Sequence, residues 1–148
     1  MAAATIWHGG VMPDPAALTR FGDSGMPAHI GIEFTEAGPD FLRARMPVDH
    51  RTHQPFGRLH GGASVALAET VGSVAAAHTL DPERFAAVGM EINANHVRPV
   101  RDGWVYGTAR AENIGRTTQI WSIRIEDEAG KLVCISRLTV AVIDVERK

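Results

Sequence analysis

Cysteine occurs once in this 148-residue sequence, at Cys134, so no disulfide can cross-link the chain to itself. It stands in the apolar run 132–135, where any small hydrophobe would serve, and we expect a core thiol rather than a reactive one. Blocks of like charge are also absent. The 15 basic and 17 acidic residues are scattered and leave a formal charge of −2, with no basic stretch to follow a phosphate backbone or an anionic membrane. Nucleic acid and membranes are therefore not expected partners. No run reaches the about 18 apolar residues of a membrane span, and the start MAAATIWHGG has neither the basic residues nor the apolar stretch of a secretory signal. We expect a cytoplasmic protein. Repeats, low-complexity tracts and linkers are missing as well, which together with 45% apolar residues leads us to expect one domain over residues 1–148.

What is present divides into a lead-in, a hairpin, one long helix and four strands. Residues 1–25 read as the lead-in, with 1–13 loose and a short helix after them, capped by Asp14, opened by Pro15 and stopped at Gly22. The stretch IGIEFTEAGPDFLRARMPV offers two strands around Gly38, Pro39 and Asp40, with Leu42, Ala44, Met46 and Val48 alternating onto one face. Strand candidates follow at 88–100, 104–112, 118–126 and 132–145, separated by the turn-like RDG, NIGR and DEAGK. Links this short predict antiparallel neighbours. The apolar face of such a sheet needs a cover, and a single helix is long and apolar enough to supply it, so an α+β fold is expected, with the helix against a curled antiparallel sheet.

That helix belongs to HQPFGRLHGGASVALAETVGSVAAAH, residues 53–78. Between His60 and His78 the only charged residue is Glu69, and six alanines favour helix strongly. A helix apolar on nearly all sides is a buried one. Leu67, Val71 and Val74 form the stripe that should press into the sheet, whereas Gly62, Ala66, Ser73 and Ala76 flank Glu69 on its own face. Small neighbours suit either close packing against a second backbone, with Glu69 neutralised by an Arg or Lys, or a ligand lying over a chemically active carboxylate. Gly61 and Gly62 mark the helix N-terminus, whose amides lack intrahelical acceptors and favour negative charge. From Gly61 to Glu69 is roughly 12 Å along a helix axis, too far for both to touch one reacting carbonyl. A second copy laid antiparallel on the small-residue face would bring Glu69 of one chain to Gly61 of the other and create two equivalent sites.

The linked segments PVDHRTHQPFGRLHGGASVALAETVGS, EINANHVRPV and SRLTVAV closely resemble the hotdog-fold acyl-CoA thioesterases. The similar branch is that of the 1,4-dihydroxy-2-naphthoyl-CoA thioesterases of menaquinone synthesis and the proofreading thioesterase of enterobactin synthesis, and the resemblance covers about residues 28–142. It implies a hotdog fold and hydrolysis of an acyl-CoA thioester, the acid preferably aromatic, in a homodimer with shared active sites that pairs further into a homotetramer. Glu69 resembles the catalytic carboxylate, nucleophile or general base, and Gly61 the backbone donor to the thioester carbonyl. Gln54 and His60 match residues that orient that carbonyl from the same subunit, while Glu69 and Ser73 come from the partner. His96 matches an acyl-pocket histidine, although Val97 stands where related sequences often carry a second one. Val88 and Gly89 fall where backbone meets the pantetheine arm, and Arg98 and Arg116 are candidates for the nucleotide phosphates. No cofactor or metal is implied, coenzyme A being part of the substrate, and His50 and His53 read as loop residues. Two other functions remain open on a hotdog fold: a non-catalytic acyl-CoA-binding protein, and a hydratase or dehydratase.

Overall fold

The computed structural model describes residues 4–145. Six strands, β1 (Glu33–Ala37), β2 (Phe41–Pro47), β3 (Phe85–His96), β4 (Trp104–Ile114), β5 (Thr118–Asp127) and β6 (Leu132–Asp144), form one antiparallel sheet in the order β1-β2-β4-β5-β6-β3. Helix α3 (Gly61–His78) lies against it, with α1 (Pro15–Phe21) and α2 (Met26–His29) ahead of β1. The expected helix-on-sheet arrangement is thus present. Among the described residues no helix is long and apolar enough to cross a membrane.

Period-two patterning decides which sheet face is covered. Leu42, Ala44 and Met46 of β2, Trp121, Ile123 and Ile125 of β5, and Leu138 and Val140 of β6 all point inward and are fully buried, meeting Leu67, Val71 and Ala75 of α3. Gly72 lets the helix come close, since a side chain there would lie 2.8 Å from Leu138 Cδ2. The far end of α3 is tied to the sheet by a partly buried chain of hydrogen bonds. Trp121 Nε1 donates to Gln119 Oε1, Gln119 Nε2 to Thr79 Oγ1, and Thr79 Oγ1 to the Ala76 carbonyl. Cys134 is buried in the same core, as expected, and burial pushes its thiol up.

Several expectations need correction. Residues 4–13 are not loose: Trp7 is 3% exposed and its indole N–H donates to the Gly38 carbonyl at 2.7 Å, pinning the lead-in beneath the β1–β2 turn. Residues 1–3 of that segment lie outside the described residues. Helix α1 does run from its Asp14 cap to Gly22, but α2 was not anticipated. The short RDG link does not join sheet neighbours, because β3 pairs with β6 at the edge whereas β4 sits between β2 and β5. The strand also starts earlier and ends sooner than the sequence suggests, stopping at His96 ahead of Pro99. Finally, α3 is buried on one side only. Ala76 joins the core, whereas Gly62 is exposed and Ala66, Glu69 and Ser73 are half-buried.

Candidate active site

The first turn of α3 builds one half of the site. His60 is the N-cap: its carbonyl accepts from Ala63 and Ser64 N–H at 2.9 and 3.3 Å, and its Nδ1 accepts from Gly62 N–H at 2.8 Å. The Gly61 amide is left as the one first-turn N–H without an acceptor among the described residues. Because Nδ1 is occupied as an acceptor, the neutral imidazole of His60 carries its proton on Nε2. Gln54 lies in the turn before the helix, where its Oε1 accepts the Phe56 N–H. A backbone N–H can meet only the amide oxygen, so the Gln54 NH2 group is the free end. Three donors are therefore offered at this end of the helix, the Gly61 N–H, the Gln54 amide and the His60 Nε2–H, and a carbonyl oxygen that gains negative charge is the group such donors stabilise.

His96, near the end of β3, closes over the same turn. A Cβ on Gly61 would stand 2.8 Å from His96 Nε2, so only glycine allows the imidazole to lie against the backbone here. Gln54, Gly61, His96 and Arg98 all line one cavity of about 400 Å³. Leu59, Val97, Pro99 and Val133 give it apolar walls, and Ser64 and Arg58 complete it. Sequence reasoning missed Ser64 and Arg58, although Ser64 is one helical turn beyond Gly61 and Arg58 is inside the recognised motif. The preceding loop is held by Asp49 and Arg51, whose guanidinium keeps the Asp49 carboxyl down at about 2.

Glu69 belongs to the other half. It is half-buried, and none of the ion pairs among the described residues includes it, so the neutralising Arg or Lys considered above is not found. Its carboxylate rests on β3 at Gly89, where a Cβ would collide with Glu69 Oε1. Gly89 sits at a bulge, the β3–β6 register shifting between Gly89 and Glu91, and Val88 next to it is 45% exposed. Ser73 is half-buried one turn beyond Glu69. Arg116 occupies the β4–β5 turn, whose Thr117 carbonyl accepts from Val142, the β6 partner of Ala87. It therefore stands near the Gly89 end of β3.

Within one chain, then, the candidate residues fall into two groups. Gln54, His60, Gly61, His96 and Arg98 gather at the start of α3, and Glu69 and Ser73, from its middle and second half, lie with Val88, Gly89 and Arg116 around the first half of β3. Seven positions along β3, about 23 Å, separate the Gly89 contact from the His96 contact.

Two substitutions test this geometry. Asparagine caps helices well, so His60→Asn is expected to keep the melting temperature of the wild type while losing catalytic rate. His60→Ala should additionally cost about 1 kcal/mol of stability. In Gly89→Ala the new methyl must push the Glu69 carboxylate aside. A fall in kcat of about 10- to 100-fold is expected, with little change in melting temperature because the strand position is exposed.

A sheet curled on one long helix, with glycine amides at the helix start, defines a hotdog-type enzyme scaffold. Residues 56–134 match the thioesterase superfamily, and the chain belongs to it: it is a hotdog-fold thioesterase. The 1,4-dihydroxy-2-naphthoyl-CoA hydrolase of Escherichia coli is 50% identical over 127 residues, 86% of this chain and 93% of that protein. The crystal structure of a thioesterase from Haemophilus influenzae superposes with a TM-score of 0.91 at 46% identity, covering 97% of this chain and 98% of the other. A mutant thioesterase from Pseudomonas aeruginosa superposes with a TM-score of 0.92 at 45% identity, over 95% of this chain and all of the other.

Proposed function

We propose that this protein hydrolyses aromatic acyl-CoA thioesters to the free acid and coenzyme A in a site shared between two copies of the chain. The observation that carries the proposal is Glu69, a half-buried carboxylate without an ion-pair partner in an otherwise uncharged helix, facing the exposed side of the molecule. In this reading the thioester carbonyl oxygen accepts the Gly61 N–H, and the Gln54 amide and His60 Nε2–H orient it. Glu69 of the partner copy either attacks the carbonyl carbon, expelling the thiolate and leaving an anhydride that water opens, or takes a proton from water as the water attacks. Both routes consume one water and yield one acid and one thiol. No metal or cofactor enters either route.

Sharing the site is supported by the distance between the two halves and by the sheet edge. Strand β3 is a 12-residue edge strand with Val88 and Met90 45% and 66% exposed, a template for pairing with another chain. A two-fold axis passing between Ile92 and Asn93 would set His96 opposite Gly89 of the second copy. The Gly61 end of one α3 then faces Glu69, at the middle of the other. Pairing of dimers into a tetramer, which the resemblance implies, is a separate step. In the same reading the enzyme works in the cytoplasm.

The aromatic preference is supported by the small residues beside Glu69, by Ser73 as a polar contact, and by the substrate named for the Escherichia coli relative. Thiol release from benzoyl-, hydroxybenzoyl-, hydroxynaphthoyl-, phenylacetyl-, hexanoyl- and palmitoyl-CoA tests it. We expect the aryl thioesters to have the highest kcat/KM. Preference for hexanoyl- or palmitoyl-CoA would overturn the aromatic assignment. Hydration of an enoyl-CoA without thiol release would overturn hydrolysis itself.

A further inference from the structure

The cavity beside Gly61 holds a hydroxyl whose hydrogen bonds are not made within the chain. Ser64 lines it one helical turn after Gly61 and is 1% exposed. A helical hydroxyl ordinarily donates to the carbonyl four residues back, as Thr70 Oγ1 does to Ala66 at 2.7 Å. For Ser64 that carbonyl belongs to His60, and both of its lone pairs are taken, by the amides of Ala63 and Ser64. Among the described residues no side-chain hydrogen bond involves Ser64 Oγ. Buried polar groups are rarely left so, and one that lines a reaction cavity is available to what enters it. Helical side chains lean toward the N-terminus of their helix, which carries this hydroxyl back toward the Gly61 amide.

Water has to enter, because both hydrolytic routes consume one. An attacking water turns a lone pair to the carbonyl carbon and gives one proton to a carboxylate, so its second O–H needs an acceptor of its own. Acceptors are scarce at this end of the helix. The Gly61 N–H, the free Gln54 amide and the His60 Nε2–H are donors, and so are the guanidiniums of Arg58 and Arg98. A neutral His96 can accept through one nitrogen, but it is exposed. Ser64 has the only hydroxyl lining the cavity among the described residues, and it is enclosed.

We propose that Ser64 is a further catalytic residue, whose Oγ accepts the second O–H of the attacking water and holds that water against the carbonyl carbon. The proposal rests on the hydrolase reading above. In the direct route the water oxygen bonds to the carbonyl carbon and one proton passes to Glu69 of the partner copy. The C–S bond then breaks, and that proton goes on to the departing thiolate, while the second stays on the new acid. In the anhydride route the same water attacks the acyl carbon of the anhydride, and its proton goes to the Glu69 carboxylate as the C–O bond to it breaks. Ser64 surrenders no proton in either route; it fixes where the water stands.

Methanol supplies the discriminating test, because it has a single O–H. That proton goes to Glu69, and the methyl group in place of the second needs no acceptor. Ser64→Ala and the wild type are compared on one aromatic CoA thioester in aqueous methanol, with free acid and methyl ester measured separately. We expect hydrolysis to slow about tenfold without a rise in KM, and the ratio of methyl ester to acid to rise by a similar factor. Alanine favours helix and removes a buried hydroxyl that has no partner, so the melting temperature should hold or increase. An unchanged ratio would overturn the proposal whatever the rate, since a general disturbance of the site slows both acceptors alike. A ratio that rises in Ser73→Ala but not in Ser64→Ala would overturn it too, by moving the water to the hydroxyl beside Glu69. A wild type that releases no thiol from any thioester would contradict the hydrolase reading itself, whereas normal thiol release with an unchanged ratio contradicts the role of Ser64 alone.

Discussion

Replacing Glu69 by glutamine is expected to lower thioester turnover about 100-fold or more while leaving the fold intact. The amide keeps the size and shape of the side chain, so its rest against Gly89 is preserved, but it can neither attack a carbonyl carbon nor accept a proton from water. A purely structural Glu69 predicts something different. A carboxylate without an ion-pair partner, half-desolvated on a helix face, contributes little to stability, and removing its charge should leave the melting temperature unchanged or raise it slightly. Loss of activity with retained stability is therefore the signature of a catalytic role. Wild-type rates in Glu69→Gln would exclude the residue from the chemistry. Glu69→Asp separates position from charge: the carboxylate remains but withdraws by one methylene, and partial activity is expected.

How much of this was legible in the sequence depends on the range of the interactions involved. Helix α3 was readable because its signals are local: alanine-rich composition and a glycine pair where the amides begin, whereas the cap that His60 supplies was not anticipated. The β1–β2 hairpin was readable for the same reason, its turn residues and its alternation of Leu42, Ala44 and Met46 lying within a few positions of one another. The position of β3 was not. Turn-like RDG suggested a hairpin with β4, yet residues 97–103 form a longer crossing, with Val97 N–H donating to the Val133 carbonyl and the Val100 carbonyl accepting from Leu59. Strand β3 lies three strand spacings from β4, about 14 Å, and seven extended residues reach about 23 Å, so the link has length to spare.

The candidate site divides along the same line. Glu69 and the Gly61 amide stood out as candidates from the lone charge in the helix and the glycine pair at its start, the expectation of a second chain came from the helix rise, and Gln54, His60 and His96 came from the resemblance. The contacts of Gly89 with Glu69 and of Gly61 with His96 join α3 to β3 across more than nineteen positions of sequence, and no local pattern announces them. Trp7 is a similar case. A lone indole in an apparently loose lead-in becomes a buried anchor only because the β1–β2 turn presents the Gly38 carbonyl to it. Arg58 was overlooked for a different reason: an arginine in a loop is ordinarily solvated, and its place on the wall of the cavity beside Gly61 is a property of the fold.

The central claim, that each site takes Glu69 from one copy and the Gly61 end from another, is tested most directly by complementation. Glu69→Gln and a variant impaired in the other half, Gln54→Ala, are each expected to be nearly inactive. A heterodimer of the two contains one intact site, built from the unaltered Glu69 of one chain and the unaltered Gln54 of the other, and one site carrying both changes. Random reassortment of equal amounts makes half of the dimers mixed, so about a quarter of the wild-type sites should return. Co-expressing the variants with different affinity tags and purifying the mixed species raises the expectation to about half of the wild-type activity per dimer. Activity that stays at the level of the separate variants in the purified heterodimer would contradict the shared site and place all of the catalytic parts within one chain.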